Sequence, residues 1–321
     1  MSSDTTDLRF FVSLAESGTL AETARRMDVT ASAVSQRLRQ LENRLGVQLV
    51  QRSTRRFSLT DEGELFYTNA LKLLQDLDAL IESLRSRSGE VAGTLRVRGP
   101  LGFGRHHLAG ALADFQSQHP KLMVSLVLSD VPPAADADRF DLIVHIGDLD
   151  NSSMVAYPVA PNTRILCASP NYLARFSPLH RPQDLADQHC LVLRENDEDV
   201  SLWRFHKGLT EAAVRVVPAM SSNDGDVTCQ WALQGRGITM RSEWDVAEHL
   251  ESGRLVRLLD GWHLPDADIV ALIPQRHGVS ARVKLFLAFL QARFQPVPPW
   301  RKPAVGRNEL SESARARRHA S

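Results

Sequence analysis

The chain has 321 residues, 43% of them hydrophobic and 24% charged, with 38 basic against 38 acidic side chains. That is enough apolar material for about two cored domains, and it excludes bulk disorder. No apolar run approaches the ~18 residues of a membrane-spanning helix, and the start MSSDTTDLRFFV lacks a basic region followed by an apolar stretch, so a cytoplasmic protein with no membrane contact is expected.

The neutral total hides an asymmetry. Residues 1–60 carry a net +3, and within 30–58 six arginines (Arg37, Arg39, Arg44, Arg52, Arg55, Arg56) face Glu42 alone. Residues 61–88 sum to −3 and residues 296–321 to +4. A neutral chain that gathers positive charge into one short stretch has the form of a polyanion binder.

Leu8, Phe11, Val12 and Ala15 recur at helical spacing and predict a first helix with one buried face, ended by Ser17-Gly18. Thr19 caps a short second helix, with Glu22 three residues on as its capping-box partner. Asp28-Val29 is a turn. Thr30 caps a third helix, which runs to about Leu45, where Gly46 stops it. Val34, Leu38, Leu41 and Leu45 form its inner stripe. Its other side carries Ser32, Ser35, Gln36 and Arg39, with Ala31 and Ala33 in the first turn. Small residues there let a helix lie deep in a groove, Gln can pair bidentately with adenine, and Ser and Arg reach phosphates and base edges. Two helices, a tight turn and such a helix make a helix-turn-helix at about residues 20–39. The competing reading is a small helical core with a solvated face. Residues 47–50 and 57–59 then read as two short strands around a basic turn, 51–56. A wing of this kind places Arg52, Arg55 and Arg56 on the DNA backbone.

The run LAETARRMDVTASAVSQRLRQLENRLGVQLVQRSTRRFSLTDEGELF resembles the winged helix-turn-helix of LysR-type transcriptional regulators. Ala24, Ser35, Leu41-Glu42, Leu45-Gly46, Leu49, Arg52, Leu59-Thr60 and Gly63 carry the match without a gap. Val50 departs from it, since the family usually has Phe there.

A long helix follows from Thr60 to about Arg87, closing the winged helix-turn-helix domain at 1–60 and making 61–88 a linker. Phe66, Ala70, Leu73, Leu77, Leu80 and Leu84 are spaced alternately 4 and 3 apart, a heptad seam. Tyr67, Leu74 and Ile81 form a second row. The seam either packs on its own domain or pairs with the same helix of a second copy. The resemblance implies the second, a homodimer or tetramer.

From residue 93 short strands alternate with helices, which predicts an α/β architecture with mostly parallel sheets. The segments GTLRVRGPLGFGR, FQSQHPKLMVSLVLSD, FDLIVHIGDLDNSSMVAYPV, LCASPNYL and SSNDGDVTCQWALQGRGITM occur in the order of the same family. The resemblance covers about nine tenths of the chain. It implies a two-lobed, periplasmic-binding-protein-like effector domain at 93–295, with lobe one at 93–166 and 267–295 and lobe two at 167–266. Its cleft is the expected effector site. Candidates are Pro100, Leu101, Gly102 and Phe103 at the first strand-to-helix turn, Ser129, His145 and Gly147 at later strand ends, and Trp203, Asn223 and Asp224 from lobe two. Family members often place Ser or Thr at that first turn, and here the hydroxyl is missing. Backbone N–H groups at the helix start favour an anion, and Phe103 and Trp203 favour an aromatic ligand.

No HExxH, GxSxG, Walker loop or dinucleotide fingerprint occurs in the required context, and no enzyme activity, catalytic residue, metal or cofactor is expected. Cys167, Cys190 and Cys229 are far apart and odd in number, which gives neither a disulfide framework nor a zinc site. Residues 296–321 read as a disordered basic tail. The whole reads as a transcriptional regulator that binds an inverted-repeat promoter site in double-stranded DNA, answers to a small organic effector and engages RNA polymerase. A ligand-independent architectural DNA binder and a solute-binding protein are the alternatives.

Overall fold

The structure, a computed structural model, describes residues 5–51, 57–85, 91–147, 154–194, 201–274 and 279–301. Three helices open it: α1 (Thr5–Ser17), α2 (Leu20–Met27) and α3 (Ala31–Leu45). The cap hydroxyls are those expected, but the Glu22 carboxylate pairs with Arg25 and Arg26 at 2.5 and 3.6 Å where a capping-box partner was expected. Thr19 Oγ1 accepts from the Glu22 N–H at 3.1 Å and Thr30 Oγ1 from the Ala33 N–H at 3.2 Å. Gly46 ends α3 in the left-handed region at φ 74°, where a side chain would be strained. Phe10, Phe11, Leu14, Val34, Leu38, Leu41 and Leu49 bury the core between them.

The two wing strands reduce to one antiparallel bridge, Val50 to Leu59. It is supported by Gln51 N–H to Ser58 O at 2.9 Å and Thr60 N–H to Leu49 O at 3.1 Å. Gly63 permits this return: a Cβ there would lie 2.0 Å from the Leu49 carbonyl oxygen. Arg52, Arg55 and Arg56 lie outside the described residues.

The linker is α4 (Asp61–Arg85). It turns Tyr67, Ala70, Leu71 and Leu74 into the helical core of its own chain. Phe66 lies edge-on to Phe11 at 5.2 Å between ring centroids. Two members of the predicted partner seam, Phe66 and Ala70, are therefore spent inside the chain. Leu77 is half-buried, Leu73 and Leu80 are 57% and 59% exposed, and the Leu84 side chain lies outside the described residues.

The remainder holds two five-stranded sheets. The first lobe begins with β1 (Gly93–Gly99) and a helical run made of α5 (Leu101–Phe103), a π-turn (Gly104–Leu108) and α6 (Ala109–Gln118). It continues with β2 (Leu122–Leu128), β3 (Leu142–Ile146) and β4 (Met154–Ala160). Lobe two holds β5 (Arg164–Ala168), α7 (Pro170–Leu173), β6 (Cys190–Leu193), the hairpin β7 (Leu202–Lys207) and β8 (Thr210–Arg215), and β9 (Pro218–Ser222). It is completed by α8 (Gly225–Leu233), β10 (Ile238–Ser242), α9 (Glu243–Glu251) and β11 (Val256–Arg257). The chain then returns to lobe one as β12 (Ile269–Pro274) and α10 (Ala281–Phe294).

Strand order is β2-β1-β3-β12-β4 in the first sheet and β11-β5-β10-β6-β9 in the second. The expectation of mostly parallel sheets is corrected. β1 runs parallel to β2 and β3, but β12 runs antiparallel to both β3 and β4. β10 and β6 pair in parallel, as do β6 and β9, while β5 is antiparallel to β10 and β11. Each lobe owes its antiparallel half to the strand that crosses from the other lobe.

The lobe boundary also moves. β5 belongs wholly to the second sheet, so the first crossing falls at 161–163 rather than after residue 166. Asn162 sits there, 1% exposed. Its N–H donates to Asp268 Oδ1 at 3.0 Å and its Nδ2 to the Ala267 carbonyl at 2.8 Å, which locks the two crossing strands together.

Candidate DNA-binding face and effector site

At the N-terminal end the candidate residues share one surface. With Val34, Leu38 and Leu41 buried, the helical period sets Ser32, Gln36, Gln40 and Asn43 opposite them. Ala31, Ser32, Ala33, Gln36 and Arg39 are exposed, and Ser35 is half-buried at the edge. Arg39 bends back on Ser35, its Nε donating to the Ser35 carbonyl at 3.3 Å. Gln40 and Asn43, absent from the sequence-based set, are exposed on the same face. Their signal was the same helical wheel carried one turn further.

Two of the six arginines in the basic stretch do not face outward freely. Arg37 and Arg44 both pair with Asp7 of α1, Arg37 at 3.6 Å. Arg37 also donates to the Thr6 carbonyl at 3.0 Å and lies over the Phe10 ring, 4.7 Å from its centroid. Glu42, matched only as part of a motif, is buried. Its Oε1 accepts from the Leu49 N–H at 2.9 Å and the Val50 N–H at 3.2 Å, so it fastens the base of the wing to α3.

In the two-lobed domain the helical turn after Pro100–Phe103 and the Asp130 segment meet the turn at Asn223-Asp224 through polar bridges between the lobes. Arg105 of lobe one donates to Asp224 Oδ1 at 2.6 Å and to Asp226 Oδ2 at 2.9 Å. His106 Nε2 lies 3.0 Å from Asp226 Oδ1. Asn223 Nδ2 donates to Asp130 Oδ2 at 2.7 Å. Burial alone would raise the Asp226 carboxyl, yet His106 and Arg105 together hold it below the usual carboxylate range. Arg105 and His106 were not among the sequence candidates.

Several sequence candidates have other duties. Phe103 is 1% exposed and packs with His107, Trp244 and Phe294 at 5.0, 5.4 and 5.8 Å between ring centroids. It is core, not ligand contact. Trp203 is 2% exposed within the lobe-two core beside Phe205 and Val214, and it is withdrawn for the same reason. A Cβ on Gly102 would meet Trp244 at 3.0 Å and Asp226 at 3.5 Å, so this position is packed against lobe two instead of opening a cleft mouth. Pro100 and Leu101 are half-buried. Ser129 Oγ accepts from the Val131 N–H at 3.1 Å, and the Gly147 N–H donates to the Asp268 carbonyl at 3.0 Å. His145 lies in β3 opposite Val270.

The start of the presumed tail is also ordered. Pro299–Arg301 forms a 3-10 turn. Trp300 packs tilted against His107, 5.1 Å between ring centroids, and Arg301 pairs with Glu243 of α9 at 2.7 Å. Burial, with His106 and Arg293 nearby, pushes His107 down to about 4, so it is neutral at pH 7. All three cysteines are buried and free. Burial pushes Cys190 and Cys229 up to about 12 and raises Cys167 further, which keeps them protonated and unreactive. No helix among the described residues is long and apolar enough to cross a membrane.

A helix-turn-helix head with a polar recognition face, a long linker helix and a two-lobed α/β body define a ligand-responsive DNA-binding regulator. Comparison with known proteins agrees in both halves. The family described as bacterial regulatory helix-turn-helix protein, lysR family, matches residues 5–64. The LysR substrate binding domain matches residues 88–295. The chain belongs to the LysR family of transcriptional regulators.

It is 35% identical over 288 residues to the HTH-type transcriptional regulator DmlR of Escherichia coli K12, covering 90% of this chain and 94% of that one. It is 30% identical over 294 residues to the HTH-type transcriptional repressor PA14_22550 of Pseudomonas aeruginosa, covering 91% and 93%. Among solved structures, CrgA of Neisseria meningitidis superimposes with a TM-score of 0.58 at 27% identity over 91% of this chain and 99% of that one. AphB of Vibrio cholerae shares the fold, with a TM-score of 0.60 at 23% identity over 90% and 99%.

Proposed function

We propose that this regulator works as a dimer on an inverted repeat. In this reading Ser32, Gln36 and Arg39 reach base edges, and the wing arginines Arg52, Arg55 and Arg56 hold phosphates. The observation that carries it is the polar, exposed face of α3 opposite its buried stripe, because only such a helix offers side chains to a major groove. Two copies are supported by the apolar residues Leu73 and Leu80, exposed along α4. Work on promoter DNA in the cytoplasm, together with RNA polymerase, follows from the same reading.

The effector is a small organic anion at the lobe junction, bordered by Leu101, Ser129 and Asn223. Arg105 supports this: its guanidinium is held by Asp224 and Asp226, and an incoming carboxylate can take their place in the same geometry. A ligand that replaces a contact between lobes binds one closure state better than another, which is the only way it can shift the equilibrium.

Selection of bound sequences from a random duplex pool tests the DNA reading. The wild-type chain should recover an inverted repeat. Gln36→Ala should relax preference at one base position per half-site, by ~1–3 kcal/mol, while affinity for random duplex holds. Equal loss on every sequence would overturn the orientation given to α3.

A further inference from the structure

Beside the recognition face lies an open concavity of about 370 Å³, lined by Asp7, Ala33, Gln36, Arg37, Gln40 and Arg44. Gln36 and Gln40 are on its rim and belong to the surface that meets DNA. At its floor one carboxylate, Asp7, 8% exposed, receives two guanidinium groups. Arg37 is further tied to the Thr6 carbonyl and the Phe10 ring, so it is held toward α1 and away from the rim.

We propose that Asp7 is an affinity-limiting residue, which withholds Arg37 and Arg44 from the DNA backbone and so holds down the part of binding that is the same for every sequence. Phosphate contacts add affinity to every sequence alike, and base contacts distinguish sequences. Two free arginines at this spot would strengthen binding to every duplex by the same factor and make all of it more sensitive to salt, without changing the ratio between right and wrong sites. With Asp7 between them, the group presents a single net positive charge, and each guanidinium must leave a carboxylate before it can grip a phosphate. The basic stretch of the sequence is therefore less basic toward DNA than its six arginines suggest.

This inference rests on α3 facing the groove, which the Gln36→Ala experiment tests separately. The probes are a random-sequence duplex and the duplex selected by the wild-type chain, each titrated with full-length protein at several salt concentrations. Asp7→Asn should steepen the slope of log K against log salt by ~0.9 for each guanidinium released. It should raise affinity for the random and the selected duplex alike, several-fold, and leave the ratio between them unchanged. Asp7→Asn combined with Arg44→Gln should bring the slope back toward wild type. Arg44→Gln alone should leave the slope unchanged, and Asp7→Ser, a second neutral replacement should Asp7→Asn fold poorly, should steepen it in the same way. A slope that flattens in Arg44→Gln, or that does not steepen in a folded Asp7→Asn, would overturn the proposal, because the arginines would then already be on phosphates or never reach them. If Gln36→Ala leaves base preference untouched while these slopes behave as expected, the fault lies in the placement of α3 and not in the role of Asp7.

Discussion

Glu42 shows how much a single buried carboxylate can do in this head. It is 7% exposed and accepts two backbone N–H groups from the segment that leads into the wing. Removing it leaves the buried Leu49 N–H and the half-buried Val50 N–H without a partner, at ~1–3 kcal/mol each. Glu42→Ala should thus lower the unfolding free energy of the N-terminal domain by about 2–6 kcal/mol. Glu42→Gln, which keeps an acceptor oxygen, should cost about half as much. Urea titration of the two variants checks the order, and equal losses would mean that packing, not hydrogen bonding, sets the cost. The caps at Thr19, Thr30 and Gly46 were legible in the sequence because a cap is a local event, decided within four residues. The burial of Glu42 was not legible, because its partners lie seven and eight positions away. Two of the effector candidates failed for a related reason. Phe103 and Trp203 were chosen for being aromatic beside a turn, yet an aromatic ring gains most from complete burial. Arg105 and Asp226, 121 positions apart, show no pattern until the lobes are brought together.

Helix α4 carries two apolar rows, and the sequence reads as one seam with a companion. The structure divides them. The N-terminal half is taken by the chain's own core through Tyr67, Ala70, Leu71 and Leu74, while Leu73 and Leu80 stay exposed. A heptad pattern says that a face will be buried and not by whom. Because Leu80 is not core, Leu80→Asp should leave the melting temperature of the isolated chain nearly unchanged. It should convert the protein to monomers in sedimentation and lower affinity for the inverted repeat by at least ~10²-fold, the avidity of two linked heads. A dimer that survives this change would place the interface on another face. Among the strands, β7 alternates Trp203 and Phe205 inward with Arg204 and His206 outward. Its period was present in the sequence, but strand direction was not. That is why the antiparallel halves of both sheets could be found only in the fold.

At the scale of the whole molecule, the two lobes are tied by a few polar contacts on one side and by an aromatic cluster with the Arg301–Glu243 pair on another. Arg105 is 38% exposed in its side chain, so its pairs are worth at most about 1 kcal/mol to folding. Arg105→Gln should therefore melt within a few degrees of wild type. If Arg105 is the group that meets an anionic effector, calorimetry across a panel of small carboxylates should show heat with the wild-type chain and none with the variant. An effector that binds both equally would move the site away from this junction.

The strand order carries a consequence for synthesis. β12 lies between β3 and β4 in the first sheet, and it is the last strand of that sheet to be made. All of lobe two, from Arg164 to Arg257, leaves the ribosome before it. Lobe two is one continuous stretch that can complete its own sheet at once. Lobe one must wait, with the flanks of β3 and β4 unsatisfied, until Ile269–Pro274 has emerged. During that interval its strand edges are open to chaperones or to aggregation, so a nascent chain halted before Ile269 should present a finished second lobe and an unfinished first.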